Sequence, residues 1–257
     1  MALIGRLNKL KTLKLHKDVV TSLGNDGFKF LHKGFNYFKD NGGSLIKIDF
    51  HSILGSYSDE YFNQCLKCIP ELRILKLTNN PISLKDAQNI GKILYDFKFI
   101  EEVDLTSTNL DHNKAKEIAD GLMKAKQLQI FKAPKNPNIG RGADVILYNL
   151  AFSPRISLID FSEDQLSSKE TAEALYKLLK ISGSLETLIL SKTNINNQLS
   201  EPFFVAMGES KSLKYLNLDY YAMTNNLTQL LAKGCAMNAK NKGALRHLSI
   251  QNAISSQ

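Results

Sequence analysis

The sequence predicts an α/β solenoid, with short parallel strands on the concave side of a horseshoe and helices on the convex side. Three observations predict it. The pattern L-x-x-L-x-L-x-x-N-x-L, with conservative replacements, starts at residues 10, 45, 72, 100, 128, 156, 185, 213 and 245. From 72 to 213 the starts fall 28 or 29 residues apart, and self-similarity at a fixed period is the signature of a stacked array. Between the patterns lie stretches of helical apolar periodicity that open on capping residues.

Taken in order, "LKTLKLHKDVV" at 10 begins the first strand, and the first repeat is long because "LIKIDFHSI" follows only at 45. Within the gap, "GFKFLHKGFNYFKD" sets Phe28, Leu31, Phe35 and Phe38 on one helical stripe, and Phe30 and Tyr37 on another. Core filling explains the first stripe. The second is either a docking face or local cover for the end of the array. "LRILKLTNNPI" at 72 spaces its apolar residues by three and then two before an Asn-Asn-Pro turn, which neither a helix nor a plain strand produces. "SLKDAQNIGKILYDF" then sets Ser83 three residues before Asp86, a cap, and aligns Ala87, Ile90, Ile93, Leu94 and Phe97. "IEEVDLTSTNL" at 100 leads to Ala115, Ile118, Ala119 and Leu122 on one stripe. After "LQIFKAPKNPN" at 128, Gly140 and Gly142 fit a tight strand-to-helix turn and are too few for a phosphate loop. "ISLIDFSEDQL" at 156 precedes "SSKETAEALYKLLK", where Ser167 and Glu170 have capping-box spacing. "LETLILSKTNI", "LKYLNLDYYAM" and "LRHLSIQNAI" complete the series.

These repeats resemble the leucine-rich repeat family, specifically the long-repeat subtype of ribonuclease inhibitor. The Ran GTPase-activating protein is similar in repeat type. The resemblance spans essentially the whole chain and implies one domain of about nine repeats over residues 1–257. The departures are Ala133, small for its strand position, and Thr108, Asp164 and Thr193 where the pattern has Asn. Strands sit ~4.8 Å apart and helices need ~10 Å, so the stack must curve with its strands inside.

The period assigns faces. Fourth and sixth positions of each pattern point into the core, and third, fifth and seventh onto the concave floor. The fifth-position row reads Lys14, Asp49, Lys76, Asp104, Lys132, Asp160, Ile189, Asn217, Ser249. Its alternating charges are expected to neutralise one another across neighbouring strands. Where the charges stop, Ile189 stands with Ile130, Leu158 and Tyr215 of the third-position row, and Tyr220 is near in sequence. Clustered apolar residues on a solvent-facing floor resemble the centre of an interface, so these five form the candidate partner-binding patch.

The rest of the chain narrows the function class. It is 43% hydrophobic with mean hydropathy −0.20, which suits a folded, soluble protein. No apolar run approaches the ~20 residues that span a bilayer, and the opening lacks the apolar stretch of a secretory signal. Three cysteines, Cys65, Cys68 and Cys235, cannot all pair and favour a reducing compartment, so an intracellular location is expected. The net charge is +8, its excess Lys falling on helices and edges, which suits partners with acidic surfaces. Arg is scarce and no aromatic-basic recognition motif appears, which disfavours nucleic acid. His16 and His51 share the seventh-position row without a third ligand, and Cys65 and Cys68 are a lone C-x-x-C without two more. No metal, cofactor or nucleophile-base arrangement is expected, and the chain is not read as an enzyme. Two classes remain: an interaction module or scaffold subunit in a larger assembly, with a cytoskeletal or ciliary setting suggested by the Lys-rich surface, or, through the resemblance alone, a regulator of an enzyme such as a GTPase. The ninth strand has no following helix in the sequence, so the chain is expected to belong to a longer polypeptide or to be covered at an end by another subunit.

Overall fold

Each of the nine pattern starts becomes a strand two residues later. In the computed structural model, which describes residues 7–17, 25–54, 59–166, 168–193, 201–221 and 223–252, the strands are β1 (Thr12–His16), β2 (Lys47–His51), β3 (Ile74–Lys76), β4 (Glu102–Asp104), β5 (Ile130–Lys132), β6 (Leu158–Asp160), β7 (Thr187–Ile189), β8 (Tyr215–Asn217) and β9 (His247–Ser249). They form one sheet in sequence order, each neighbouring pair parallel. Among the described residues they alternate with α1 (Asn25–Asp40), α2 (Asp59–Lys67), α3 (Leu84–Asp96), α4 (His112–Leu122), α5 (Gly142–Leu150), α6 (Lys169–Ile181), α7 (Glu201–Glu209) and α8 (Asn225–Lys240). This is an open leucine-rich-repeat-type solenoid.

Register follows from the pattern. In the stretch from 72, Leu72, Leu75, Leu77 and Ile82 are buried, while Ile74, Lys76 and Thr78 are half-buried on the other face. Most strands are three residues long, yet the ladder runs past them. Leu77 N–H donates to the Asp104 carbonyl at 2.9 Å, and Asn79 N–H to the Thr106 carbonyl at 2.9 Å. The continuation depends on the eighth position. There Ser52, Asn79, Ser107, Lys135, Glu163, Lys192, Tyr220 and Asn252 all adopt φ between 53° and 63°, a left-handed conformation that residues with a Cβ normally avoid.

Where Asn stands at the ninth position, it ties its repeat to the one before. The Asn80 side-chain oxygen accepts from Ile53 and Leu54 N–H, both at 2.7 Å, and its amide donates to the Phe50 carbonyl at 2.8 Å. Asn136 does the same for Thr108 N–H at 3.0 Å, Leu110 N–H at 2.9 Å and the Leu105 carbonyl at 3.1 Å. The substitutes do less. Thr108 and Thr193 each donate to a carbonyl three residues back at 2.8 Å, and Thr193 also meets the buried Tyr221 hydroxyl at 3.0 Å. Asp164 accepts Asn136 N–H through one oxygen, while its buried Oδ2 lacks a hydrogen-bond partner.

Behind the sheet, the helical stripes bury as their spacing requires. Phe28, Leu31, Phe35 and Phe38 of α1 are fully buried, as are Ala115, Ile118 and Ala119 of α4. The Ser83–Asp86 capping box forms with both its bonds. The expected Ser167 cap is corrected: α6 is capped by Ser168, whose hydroxyl accepts from Thr171 N–H at 3.0 Å, and Ser167 lies outside the described residues. The helix starts one residue later, so Ser168, not Ser167, occupies the extended N-cap position. Gly140 supplies the left-handed turn before α5, with φ 47°. Helices α3 and α4 approach so closely that a Cβ on Gly91 would lie 2.2 Å from the Glu117 carbonyl oxygen.

At the last strand the pattern is intact but its surroundings are not. Leu213, Leu216 and Leu218 of the eighth repeat are buried, whereas Leu245 and Leu248 of the ninth are half-buried and Ile250 is 41% exposed. Among the described residues β9 pairs with β8 only.

Candidate functional site

The parallel register sets the floor residues in rows across the sheet. Ile130 of β5 stands beside Leu158 of β6, Thr187 of β7 follows, and Tyr215 of β8 comes next. One row over, Ile189 lies between Asp160 and Asn217. Ile130, Leu158, Ile189 and Tyr215 are thus on one face of four consecutive strands. Each is half-buried by its neighbours. Thr187 interrupts the apolar row, and the Tyr215 hydroxyl is met by the Asn217 amide at 3.3 Å. Tyr220 is elsewhere. It occupies the left-handed turn after β8, half exposed, with Lys192 Nζ 5.0 Å from its ring centre. Ile74 also belongs to the third-position row but is divided from Ile130 by Glu102.

The charge row needs correction. Lys14, Asp49, Lys76, Asp104, Lys132 and Asp160 are in register as expected, but no ion pair within 4.0 Å joins neighbours in that row among the described residues. Lys76 Nζ instead reaches Glu102 at 2.6 Å, diagonally across the floor. Burial alone would lower the Lys76 pKa; the bond and charge of Glu102, with the charges of Asp104 and Asp49, more than offset it and raise it. Asp104 and Asp160 turn back onto their own strands. Asp104 accepts from Thr106 N–H at 3.0 Å, and Asp160 from Ser162 N–H at 2.9 Å. A short carboxylate cannot cross to the next strand once it closes such a turn. Alternating charges do meet in the eighth-position row, where Glu163 lies 3.8 Å from Lys135 and 4.0 Å from Lys192. That row was legible in the sequence as Lys135, Glu163 and Lys192 at the same repeat position.

The remaining candidates are occupied structurally. His16 and His51 stack at 4.4 Å, and the two ring nitrogens of His51 meet Thr78 at 2.8 Å and Asn79 at 3.1 Å. Cys65 is buried in α2, where burial pushes its thiol pKa far up. Cys68 donates to Asn36 at 3.1 Å and to the Gln64 carbonyl at 3.2 Å. Among the described residues no group of three or more His, Cys, Asp or Glu is placed to hold a metal ion. On α1, His32 approaches Tyr61 of α2 while Phe30 and Tyr37, on the opposite side, are 55% and 54% exposed. No described helix is long and apolar enough to cross a membrane.

No family model matches the chain, and no curated protein matches it. Among solved structures it is similar to the C-terminal domain of tropomodulin from Caenorhabditis elegans, at 15% identity and a TM-score of 0.48, over 61% of this chain and 95% of that one. It is similar also to leiomodin-1 actin-binding site 2, at 13% identity and a TM-score of 0.48, over 63% of this chain and 92% of that one.

Proposed function

We propose that the protein is a non-enzymatic interaction module, a scaffold subunit of an intracellular assembly, that binds partner proteins on its concave floor. The observation that carries this reading is the apolar stretch of floor from β5 to β8, on strands held in register by a continuous ladder. A sheet fixed in this way presents Ile130, Leu158, Ile189 and Tyr215 without an ordering cost on binding, and concave repeat surfaces serve this use. Half-buried apolar residues fringed by polar Thr187, Asn217 and Asp160 have the composition of an interface centre and its rim. The 28-residue period and the helical convex side support placing the repeats with the ribonuclease-inhibitor-like subtype. The Lys excess supports an acidic partner, and microtubules are the first polymer to test for a cytoskeletal or ciliary setting.

The test is cross-linking mass spectrometry on complexes purified with the full chain, followed by a binding measurement with the partner so identified. Cross-links are expected at concave Lys76 and Lys132. Leu158→Lys with Ile189→Lys is expected to weaken binding by about 2 kcal/mol or more, the loss typical of a central anchor, with thermal unfolding nearly unchanged. Unaltered affinity removes the floor as the binding face. Regulation of an enzyme is the second reading. A GTPase activator of the arginine type needs an available guanidinium; Arg73 is bonded to Glu101 at 2.7 Å and Arg141 lies 3.6 Å from Glu170, so Arg155, exposed and without an ion pair among the described residues, is the arginine to replace in testing it. Recovery of one GTPase as the sole partner would favour that reading.

A further inference from the structure

Opposite the floor, at the edge where helices end and the next strands begin, four successive repeats carry an exposed apolar residue at nearly the same repeat position. They are Tyr95 at the end of α3, Met123 just after α4, Phe152 just after α5 and Ile181 at the end of α6. Phe99 and Tyr148 adjoin the row, Tyr148 packing edge-on to Phe152 at 5.4 Å. All six are between 38% and 59% exposed. Isolated exposed apolar residues are ordinary, but a row repeated along neighbouring helices is a contiguous feature of the kind that marks contact sites.

The charges beside the row have one dominant sign. Lys98, Lys124, Lys126 and Arg155 are exposed in the same turns and form no ion pair among the described residues, while the carboxylates Asp96, Glu117 and Asp120 gather at one end, in the groove beside Tyr95 that Lys92 also lines. Lys124 Nζ stands 5.8 Å from the Tyr95 ring centre and Lys177 Nζ 5.2 Å from that of Tyr148, so cations and rings make one mixed surface. Basic residues near helix C-termini offset the helix dipole, which accounts for some of the lysines. It does not account for the exposed rings.

We infer that this edge is a second docking surface, independent of the floor, for an acidic segment of a partner protein that carries apolar side chains. Neighbouring helices stand ~10 Å apart, so the row runs about 30 Å. A segment in the polyproline II conformation, with three residues per turn and a rise of ~3.1 Å per residue, meets it with an apolar side chain at every third position and acidic residues between. A linear occupant fits better than an anionic membrane. The groove between α3 and α4 beside Tyr95 is lined by Asp96, Glu117 and Asp120, which a flat headgroup layer would press against its own charge and a narrow segment would avoid.

Random twelve-residue peptides displayed on phage, selected against the full chain, test the inference. Acidic peptides containing Leu, Phe or Tyr are expected to be enriched. A synthetic copy is expected to lose at least tenfold in affinity for Tyr95→Ser with Phe152→Ser, and for Lys124→Glu with Lys126→Glu, while Leu158→Lys with Ile189→Lys binds it as the natural chain does. Unchanged unfolding midpoints establish that the variants fold. No enrichment, enrichment of non-acidic peptides, or equal binding to all variants overturns the inference, and loss confined to the floor variant assigns the peptide to the floor. Strip-dependent sedimentation with phosphatidylserine vesicles, with no peptide enriched, overturns it in favour of lipid.

Discussion

Among single residues, Asp164 departs furthest from what its position requires. Asn at this place donates and accepts at once, as Asn136 shows, whereas Asp164 accepts one bond and leaves a buried oxygen without a partner. Burial above all, opposed by the Asn136 hydrogen bond and assisted by the charges of Asp160 and Glu163, pushes its carboxyl up to about 8. An unfolded Asp titrates near ~3.9. Between about pH 4 and about pH 8 the folded state therefore holds a proton that the unfolded state has lost, and stability falls as pH rises, by up to about 1.4 kcal/mol per unit. Asp164→Asn is expected to stabilise the protein and to remove this slope, so its advantage over the natural chain grows from pH 5 to pH 8.5. Denaturant titrations at the two pH values check it; an equal advantage at both would contradict it. The departure at 164 was visible in the sequence, but its titration was not, because burial and the neighbouring carboxylates come from the stack. The left-handed eighth position was also missed. Lys135, Glu163 and Tyr220 bear no local mark of that conformation, which the inter-repeat hydrogen bond imposes. Glu163→Val, β-branched at φ 62°, is expected to cost about 1–2 kcal/mol in a denaturant titration.

At the scale of elements, the helices separate into those held by side chains and two pairs, α3 with α4 and α7 with α8, that meet through the backbone at glycines. Gly91 and Gly121 face each other across α3 and α4, and a Cβ on Gly121 would stand 2.1 Å from the Gly91 carbonyl oxygen. Helix propensity favours Ala over Gly by about 1 kcal/mol, but here the two helices must part. Gly91→Ala is expected to destabilise by about 1–3 kcal/mol, and the double variant with Gly121→Ala by less than the sum, since one separation accommodates both methyl groups. Unfolding midpoints of the three variants settle this; a stabilised Gly91→Ala would show that the contact is loose. Apolar periodicity exposed α1, α3, α4 and α6 in advance, because Phe28–Phe38 and Ala87–Phe97 repeat at helical intervals. It could not show that Gly91 and Gly121 meet, nor that Tyr95, Met123, Phe152 and Ile181 line one edge, since both are relations between repeats at positions outside the strand pattern. On α1, Phe30 and Tyr37 are both more than half exposed, and we propose them as a docking face. Changing both to Ser is expected to alter stability by no more than about 0.5 kcal/mol.

For the whole molecule, the repeat spacing predicted every strand and its order, while the chemistry of the floor was only half legible. The rows of Ile130, Leu158, Ile189 and Tyr215 follow from period alone. The pairing of Lys76 with Glu102, instead of with a neighbour in its own row, depends on side-chain reach and on turns that claim Asp104 and Asp160. A working concave surface requires that strands β3 to β8 behave as one rigid piece, and we propose that they form a single cooperative unit. In an array each repeat is stabilised by its neighbours, so strands β3 to β8, each paired on both sides, are expected to open together. Hydrogen exchange on the full chain, resolved strand by strand, tests this most directly. The account predicts that backbone amides of β3 through β8 exchange slowly and together; a step in protection between two adjacent central strands, dividing the floor at Leu158 or Ile189, would contradict it.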